Sequence, residues 1–229
     1  MKLDTEKLEE LKAEGLNSKE IHQRVKNWLN SVTPAEAPAL LVALAKEESL
    51  SDDVRTSVIS MMGYRDRSHQ TIQFLRQLIH DKSRSQEFRS QALSSFVVSN
   101  TDLRHVDLMA LLADTSEEVW MRAEAAAALG GSGCEVERAE GLIKSILARD
   151  DLHEELAFWC IYACTCFEES EDKDALVLLI SRYLEDHRVV LPPIARSLMS
   201  CPATVSMEAS WVIDSLNGII RDPEWEKSP

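Results

Sequence analysis

A repeat of 33 to 35 residues runs along the chain and is visible in its apolar positions. The positions that recur at this interval are Ile21, Val54, Phe88, Met121, Leu156 and Leu191. Another apolar residue stands thirteen positions before each of them, and a small or β-branched residue usually stands four positions after. Apolar residues continue at offsets 7 and 8, so offsets 0, 4, 7 and 8 together define one face of an α-helix. A helical pattern with this period is typical of solenoid repeats.

Each repeat is predicted to be a helical hairpin, with a first helix A and a second helix B. One hairpin cannot bury its apolar face alone, so neighbouring hairpins are expected to stack into a continuous core. The sequence therefore predicts an all-α superhelix that forms a single domain over residues 1–229, with a final capping helix at 203–222. The six predicted hairpins span residues 3–31, 34–64, 67–99, 103–131, 135–168 and 171–201.

Three B-helix segments resemble HEAT repeats, in which an apolar residue is followed by Arg and then by small residues. They are Asp52–Gly63, Gln86–Val97 and Val119–Gly130, and their arginines are Arg55, Arg89 and Arg122. An acid lies eight residues before each arginine, namely Glu47, Asp81 and Asp114. In HEAT arrays such acids and arginines form a ladder of hydrogen bonds between units. The resemblance implies such a ladder here, and B helices that line a concave surface.

Four consecutive alanines, Ala125 to Ala128, give the fourth B helix an unusually thin face. The register places Ala125 and Ala128 toward the core, where adjacent B helices approach closely. Ala126 and Ala127 are expected on the flank and outer face, as good helix formers.

The outward positions of the B helices change character along the chain. At offsets −1, 2, 3 and 6 the first three units carry polar residues only, whereas the fourth and fifth carry four aromatic rings. Such a cluster usually marks an interaction site, and Trp and Tyr are frequent binding hot spots. We therefore predict a partner-binding surface that consists of Trp120, Glu124, Glu155, Phe158, Trp159, Tyr162 and Ile194. Two alternatives are that the segment Ser206–Pro229 folds over these rings, or that a second copy of the chain covers them.

The net charge of −14 is carried by the second half of the chain. Residues 106–229 contain 10 Lys and Arg against 24 Asp and Glu, whereas residues 1–105 contain 15 of each. An acidic surface repels phosphate backbones and attracts cationic partners, so the partner is expected to be a basic protein and nucleic acid is disfavoured. No stretch is apolar enough to cross a bilayer, and the acid-bearing N-terminus lacks the centre of a signal peptide, so a cytoplasmic location is expected.

The sequence contains no residue pattern typical of a catalytic site, so no catalytic residue, metal or cofactor is predicted. The deoxyhypusine hydroxylases resemble this architecture but hold iron on repeated His-Glu pairs, and this chain has one such pair, His153-Glu154. Cys160 and Cys164 have a spacing that a metal could bridge, but they occupy core positions and are expected to be buried thiols.

The sequence thus predicts a non-catalytic protein-binding module, and a specific version is an inhibitor or immunity-type protein that neutralises a basic toxin or nuclease. The alternative is an enzyme that acts on nucleic acid in the same groove. The alkylpurine DNA glycosylases resemble this chain in architecture and use concave aromatic residues with an acid, but they also need a basic cradle.

Overall fold

The computed structural model describes residues 3–99, 104–130, 136–149 and 151–165. Within these ranges the chain forms ten α-helices and no strand. The helices are α1 (Thr5–Leu11), α2 (Ser18–Leu29), α3 (Ala37–Lys46), α4 (Asp52–Arg65), α5 (His69–His80), α6 (Gln86–Val98), α7 (Arg104–Ala113), α8 (Val119–Gly130), α9 (Val136–Leu147) and α10 (Glu154–Thr165). The prediction of an all-α chain is therefore confirmed for the described residues.

The helices follow one another in the pairs that the repeat predicts. The first five predicted hairpins correspond to the pairs from α1 and α2 through α9 and α10. The sixth hairpin (171–201) and the capping helix (203–222) lie outside the described residues. The chain divides into two compact units, unit 1 (Met1–Arg104) and unit 2 (His105–Pro229).

Serine and asparagine side chains begin the B helices of unit 1. The hydroxyls of Ser51 and Ser85 accept the backbone N–H groups of Val54 and Phe88, at 3.4 Å in both cases. At α2, Asn17 and Glu20 form a reciprocal capping box. These bonds satisfy N–H groups that have no partner inside the helix, and so they fix where each helix starts.

Unit 1 is built around the predicted core positions. Ile21, Val54 and Phe88 are buried, as are the residues four positions later, Val25, Val58 and Ala92. The B helices pack side by side, α2 on α4 and α4 on α6, while α3 packs on α5. Each A helix also packs on its own B helix, α1 on α2, α3 on α4 and α5 on α6. Unit 1 therefore has one layer of B helices, with the A helices packed against it.

Helices α4 and α6 approach each other closely at Gly63. A Cβ atom placed on Gly63 would lie 2.6 Å from the backbone oxygen of Ser95 and 2.9 Å from its Cα. Because real Cβ contacts with backbone atoms are not this short, only glycine fits at this crossing.

Unit 2 repeats the same scheme in the part that the structure describes. Helix α10 packs on both α8 and α9. The core positions Met121, Ala125, Leu156 and Cys160 are all buried. Arg122 joins α8 to the preceding helix, because its Nε donates a hydrogen bond to the backbone oxygen of Leu112 at 2.9 Å.

The alanines of α8 differ in part from their predicted positions. Ala125 faces the core as expected, but Ala126 is fully buried rather than on the flank, and Ala128 is only half-buried. Ala123, which was predicted to face outward, is also buried. The buried arc is wider than one hairpin face, because α8 contacts the neighbouring B helix α10 in addition to its own A helix.

Two of the three arginines at the HEAT-like position bond to the helix that precedes their own. Arg89 Nε donates to the oxygen of Ile79 at 2.8 Å, in the same way that Arg122 donates to Leu112. Each arginine thus caps the last turn of the helix that precedes its own, where carbonyl groups lack intrahelical partners. Arg55 instead forms an ion pair with Asp52 in the first turn of its own helix.

Candidate interaction surface

Aromatic side chains of α8 and α10 occupy one part of unit 2. Trp120 is in the first turn of α8, and Trp159 and Tyr162 are in the middle of α10. The rings of Trp159 and Tyr162 are 5.4 Å apart between centroids, and their planes meet at 82°. This edge-to-face arrangement is a favourable geometry for aromatic pairs. All three residues are half-buried, so each ring is partly packed and partly open to solvent.

Two carboxylates accompany these rings. Glu155 is exposed at the start of α10, and Glu124 is half-buried on α8, one turn after Trp120. Because α8 and α10 pack against each other, the structure brings together helices that carry six of the seven predicted site residues. Five of these six have described side chains, whereas the side chain of Phe158 and the whole of Ile194 lie outside the described residues.

Unit 1 shows what the same helix positions do when they carry polar residues. A groove of about 310 Å³ lies over α2, α4 and α6. The residues that α4 contributes to it are Asp53, Thr56, Ser57 and Ser60, and those of α6 are Glu87 and Gln91. These are offsets −1, 2, 3 and 6 of the repeat, the positions that were predicted to point outward. Trp120, Glu124, Trp159 and Tyr162 stand at equivalent offsets in unit 2.

The buried-thiol prediction is confirmed for Cys160, whose side chain has no solvent exposure. Burial raises the pKa of its thiol to about 12, because the low-polarity core disfavours the thiolate. The thiol is therefore protonated at neutral pH and is a weak nucleophile. Cys164, its predicted neighbour in the core, has a side chain outside the described residues.

One feature of unit 1 was missed by the sequence prediction. A hollow of about 230 Å³ between α2 and the end of α4 is lined by basic residues and by Tyr64. Two sequence features could have predicted this hollow. Lys19 and Lys26 are seven residues apart, which puts them on one face of a helix, and Tyr64 and Arg65 directly follow Gly63. The repeat register does not combine them, because the hollow is formed by the faces of two helices together.

No helix within the described residues combines the length and the apolar character that crossing a bilayer requires. Comparisons of the chain with protein-family models, with curated proteins and with solved structures gave no match.

Proposed function

We propose that the protein is a non-catalytic binding module that holds a basic protein partner against the aromatic faces of α8 and α10. The observation that carries this proposal is the edge-to-face pair Trp159 and Tyr162, which lies partly open to solvent on a helix packed against the one that bears Trp120. Partly exposed indole and phenol rings on a rigid helix pair offer large contact area at a small cost in side-chain entropy.

A HEAT-type solenoid is the architecture that we propose for the chain. Its support is the layer of B helices in unit 1 and the return of the same contacts between α8 and α10 in unit 2. In such an architecture the outward B-helix positions form a continuous binding surface. The groove over α4 and α6 supports this assignment of the positions.

The charge of unit 2 favours a basic partner. Residues 105–229 contain the same charged groups as 106–229, so unit 2 carries the whole formal charge of −14. Glu124 and Glu155 lie on the same helices as the rings, where they would pair with Arg or Lys of a partner next to its apolar anchor. An inhibitor of a basic toxin or nuclease that acts in the cytoplasm is the specific form of the proposal.

Affinity capture with matched charge variants tests the proposal. The immobilised full chain is exposed to an extract of its native host, and the retained proteins are identified by mass spectrometry. Binding of the purified partner is then measured for the wild type, Trp159→Ala, Glu155→Lys and Glu87→Lys. Glu87 is the control because it is exposed and occupies the same helix offset as Glu155, but in unit 1.

The expected result is loss of binding in unit 2 variants alone. Trp159→Ala should weaken the complex by about 2 kcal/mol, or about thirtyfold. Glu155→Lys should slow association at low salt, whereas Glu87→Lys should bind as the wild type does. Equal loss in all three variants would contradict the proposal. A sharp fall in the melting temperature of Trp159→Ala, together with no protein retained by the wild type, would also contradict it. Saturable binding of duplex DNA that depends on Trp159 would contradict it too and would favour the glycosylase alternative.

A further inference from the structure

The hollow between α2 and α4 in unit 1 has a composition unlike the rest of this acidic chain. Its basic lining residues are Lys19, Lys26, Arg65 and His22, and its less polar ones are Met61 and Tyr64. Lys19 and Lys26 are two turns apart on one face of α2, and Arg65 is the last residue of α4. Three permanent positive charges therefore surround one small hollow.

These cationic groups have no partner within the described part of the chain. The side chains of Lys19, Lys26 and Arg65 make neither an ion pair nor a hydrogen bond there, in contrast to those of Lys12, Arg84 and Arg149. Three like charges near one another repel, so their arrangement costs free energy unless an anion joins them. A ligand with a negative group would remove that cost.

The apolar lining indicates that the ligand is more than a bare anion. Tyr64 is 74% exposed, which is the largest value among the exposed large apolar side chains of the described residues. Its ring has no aromatic or cationic partner within those residues. Met61 is 4% exposed and adds an apolar wall. An exposed phenol ring beside cations is the usual platform on which a planar heterocycle stacks.

His22 adds a polar group of a different kind. Its Nδ1 lies 2.9 Å from the backbone oxygen of Ser18, and because a carbonyl only accepts, Nδ1 must donate. In the neutral form of the imidazole, Nε2 is then the acceptor, which suits a sugar hydroxyl. Ring, hydroxyl acceptor and cations together match the three parts of a nucleotide.

We propose that this hollow binds a nucleoside phosphate, with the base on Tyr64 and the phosphate between Lys26, Lys19 and Arg65. A small ligand fits better than a nucleic acid strand, because unit 2 carries a formal charge of −14 that repels a long polyanion. A small dianion is less affected by this repulsion, because it contacts the three cations directly. Their attraction acts well within one Debye length.

Calorimetric titration of the full chain with ADP, in buffer that contains EDTA, tests the site. Adenosine and pyrophosphate serve as the ring-only and phosphate-only probes. The variants are Lys26→Gln, Arg65→Gln, Tyr64→Ala and Tyr64→Phe. Lys82→Gln is the control, because it removes the same charge from an exposed position of unit 1 that is not part of the hollow.

ADP is expected to bind more tightly than either probe, and more weakly as salt is added. Lys26→Gln, Arg65→Gln and Tyr64→Ala should each weaken ADP binding about tenfold, whereas Tyr64→Phe and Lys82→Gln should leave it within about twofold. Absence of saturable ADP binding at millimolar concentration would overturn the proposal. So would equal affinity for pyrophosphate and ADP, or an equal effect of Lys82→Gln. Thermal melts of each variant confirm that the fold is intact.

Discussion

Three acids near the ends of A helices share a local contact with a serine. Glu47, Asp81 and Asp114 each accept hydrogen bonds from the backbone N–H and the hydroxyl of the serine two residues later. These bonds close the short turn into the following B helix. They hold the pKa of Glu47 and that of Asp81 below their ordinary values, chiefly through the serine hydroxyls.

The turns should make stability depend on pH in a definite direction. A carboxylate whose pKa is lower in the folded state stabilises the protein above its ordinary pKa, and that contribution is lost as pH falls through the folded value. Ser83→Ala removes the hydroxyl that bonds to Asp81. We therefore expect this variant to be less stable than the wild type at pH 7, by a margin that shrinks at pH 3.

Urea denaturation at the two pH values measures this margin. The control is Ser94→Ala, an exposed serine on α6 whose replacement should shift stability equally at both pH values. A difference between Ser83→Ala and the wild type that is constant from pH 7 to pH 3 would show that the carboxylate is not involved.

At the residue scale, the sequence pointed to the acids and arginines of the repeat, and the structure adds local partners for them. The HEAT resemblance implied that Asp81 and Arg89 belong to a ladder between units. That ladder stays a prediction, and the bonds that the structure adds are local, from Ser83 to Asp81 and from Arg89 to the oxygen of Ile79. A serine two positions away reaches a carboxylate without any particular arrangement of units, so the acid-x-Ser spacing alone is enough to predict this bond.

At the scale of the helices, the repeat register correctly predicted which residues are buried at offset 0. It did not predict how wide the buried face of each B helix is. Ile21, Val54, Phe88, Met121 and Leu156 are all buried, as the period requires. The register assumed one buried face for each helix, whereas a B helix with a second B helix beside it also buries positions such as offset 5. Ile59, Leu93 and Ala126 at this offset are examples.

The contact between α4 and α6 gives a prediction of unusual sign. Gly→Ala in a helix normally stabilises it by about 1 kcal/mol. At Gly63 the added Cβ would meet backbone atoms of Ser95, which cannot move without separating the helices. We therefore expect Gly63→Ala to destabilise unit 1 by about 1–3 kcal/mol.

Gly141→Ala is the matched control in chemical denaturation. Gly141 is an exposed residue of α9 with no atom near the Cβ position, so the same change should stabilise the protein by about 0.5–1 kcal/mol. If both variants were stabilised, the close approach of α4 to α6 would be wrong.

At the scale of the whole molecule, the sequence predicted the helical class and the location of the aromatic residues, but less about their exposure. Trp120, Trp159 and Tyr162 were expected on an open surface, and each is half-buried. Large rings also pack against each other, as Trp159 and Tyr162 do, and an angular register cannot describe this because it ignores side-chain length. The hollow at Tyr64 was missed for a related reason, since it combines the faces of two helices.

The uneven charge of the two units also governs how copies of the protein meet one another. Two chains that approach through α8 and α10 each carry a surplus of 14 negative charges, so at neutral pH they repel each other. That repulsion should vanish near the isoelectric point of about 4.9. In low salt, light scattering should therefore detect self-association near pH 5 but not at pH 7. At pH 5 the variant Trp159→Ala should self-associate less than the wild type. Self-association that is stronger at pH 7 than at pH 5 would contradict this prediction. The negative charge that attracts a cationic partner would thus also prevent the aromatic surfaces of two copies from binding each other.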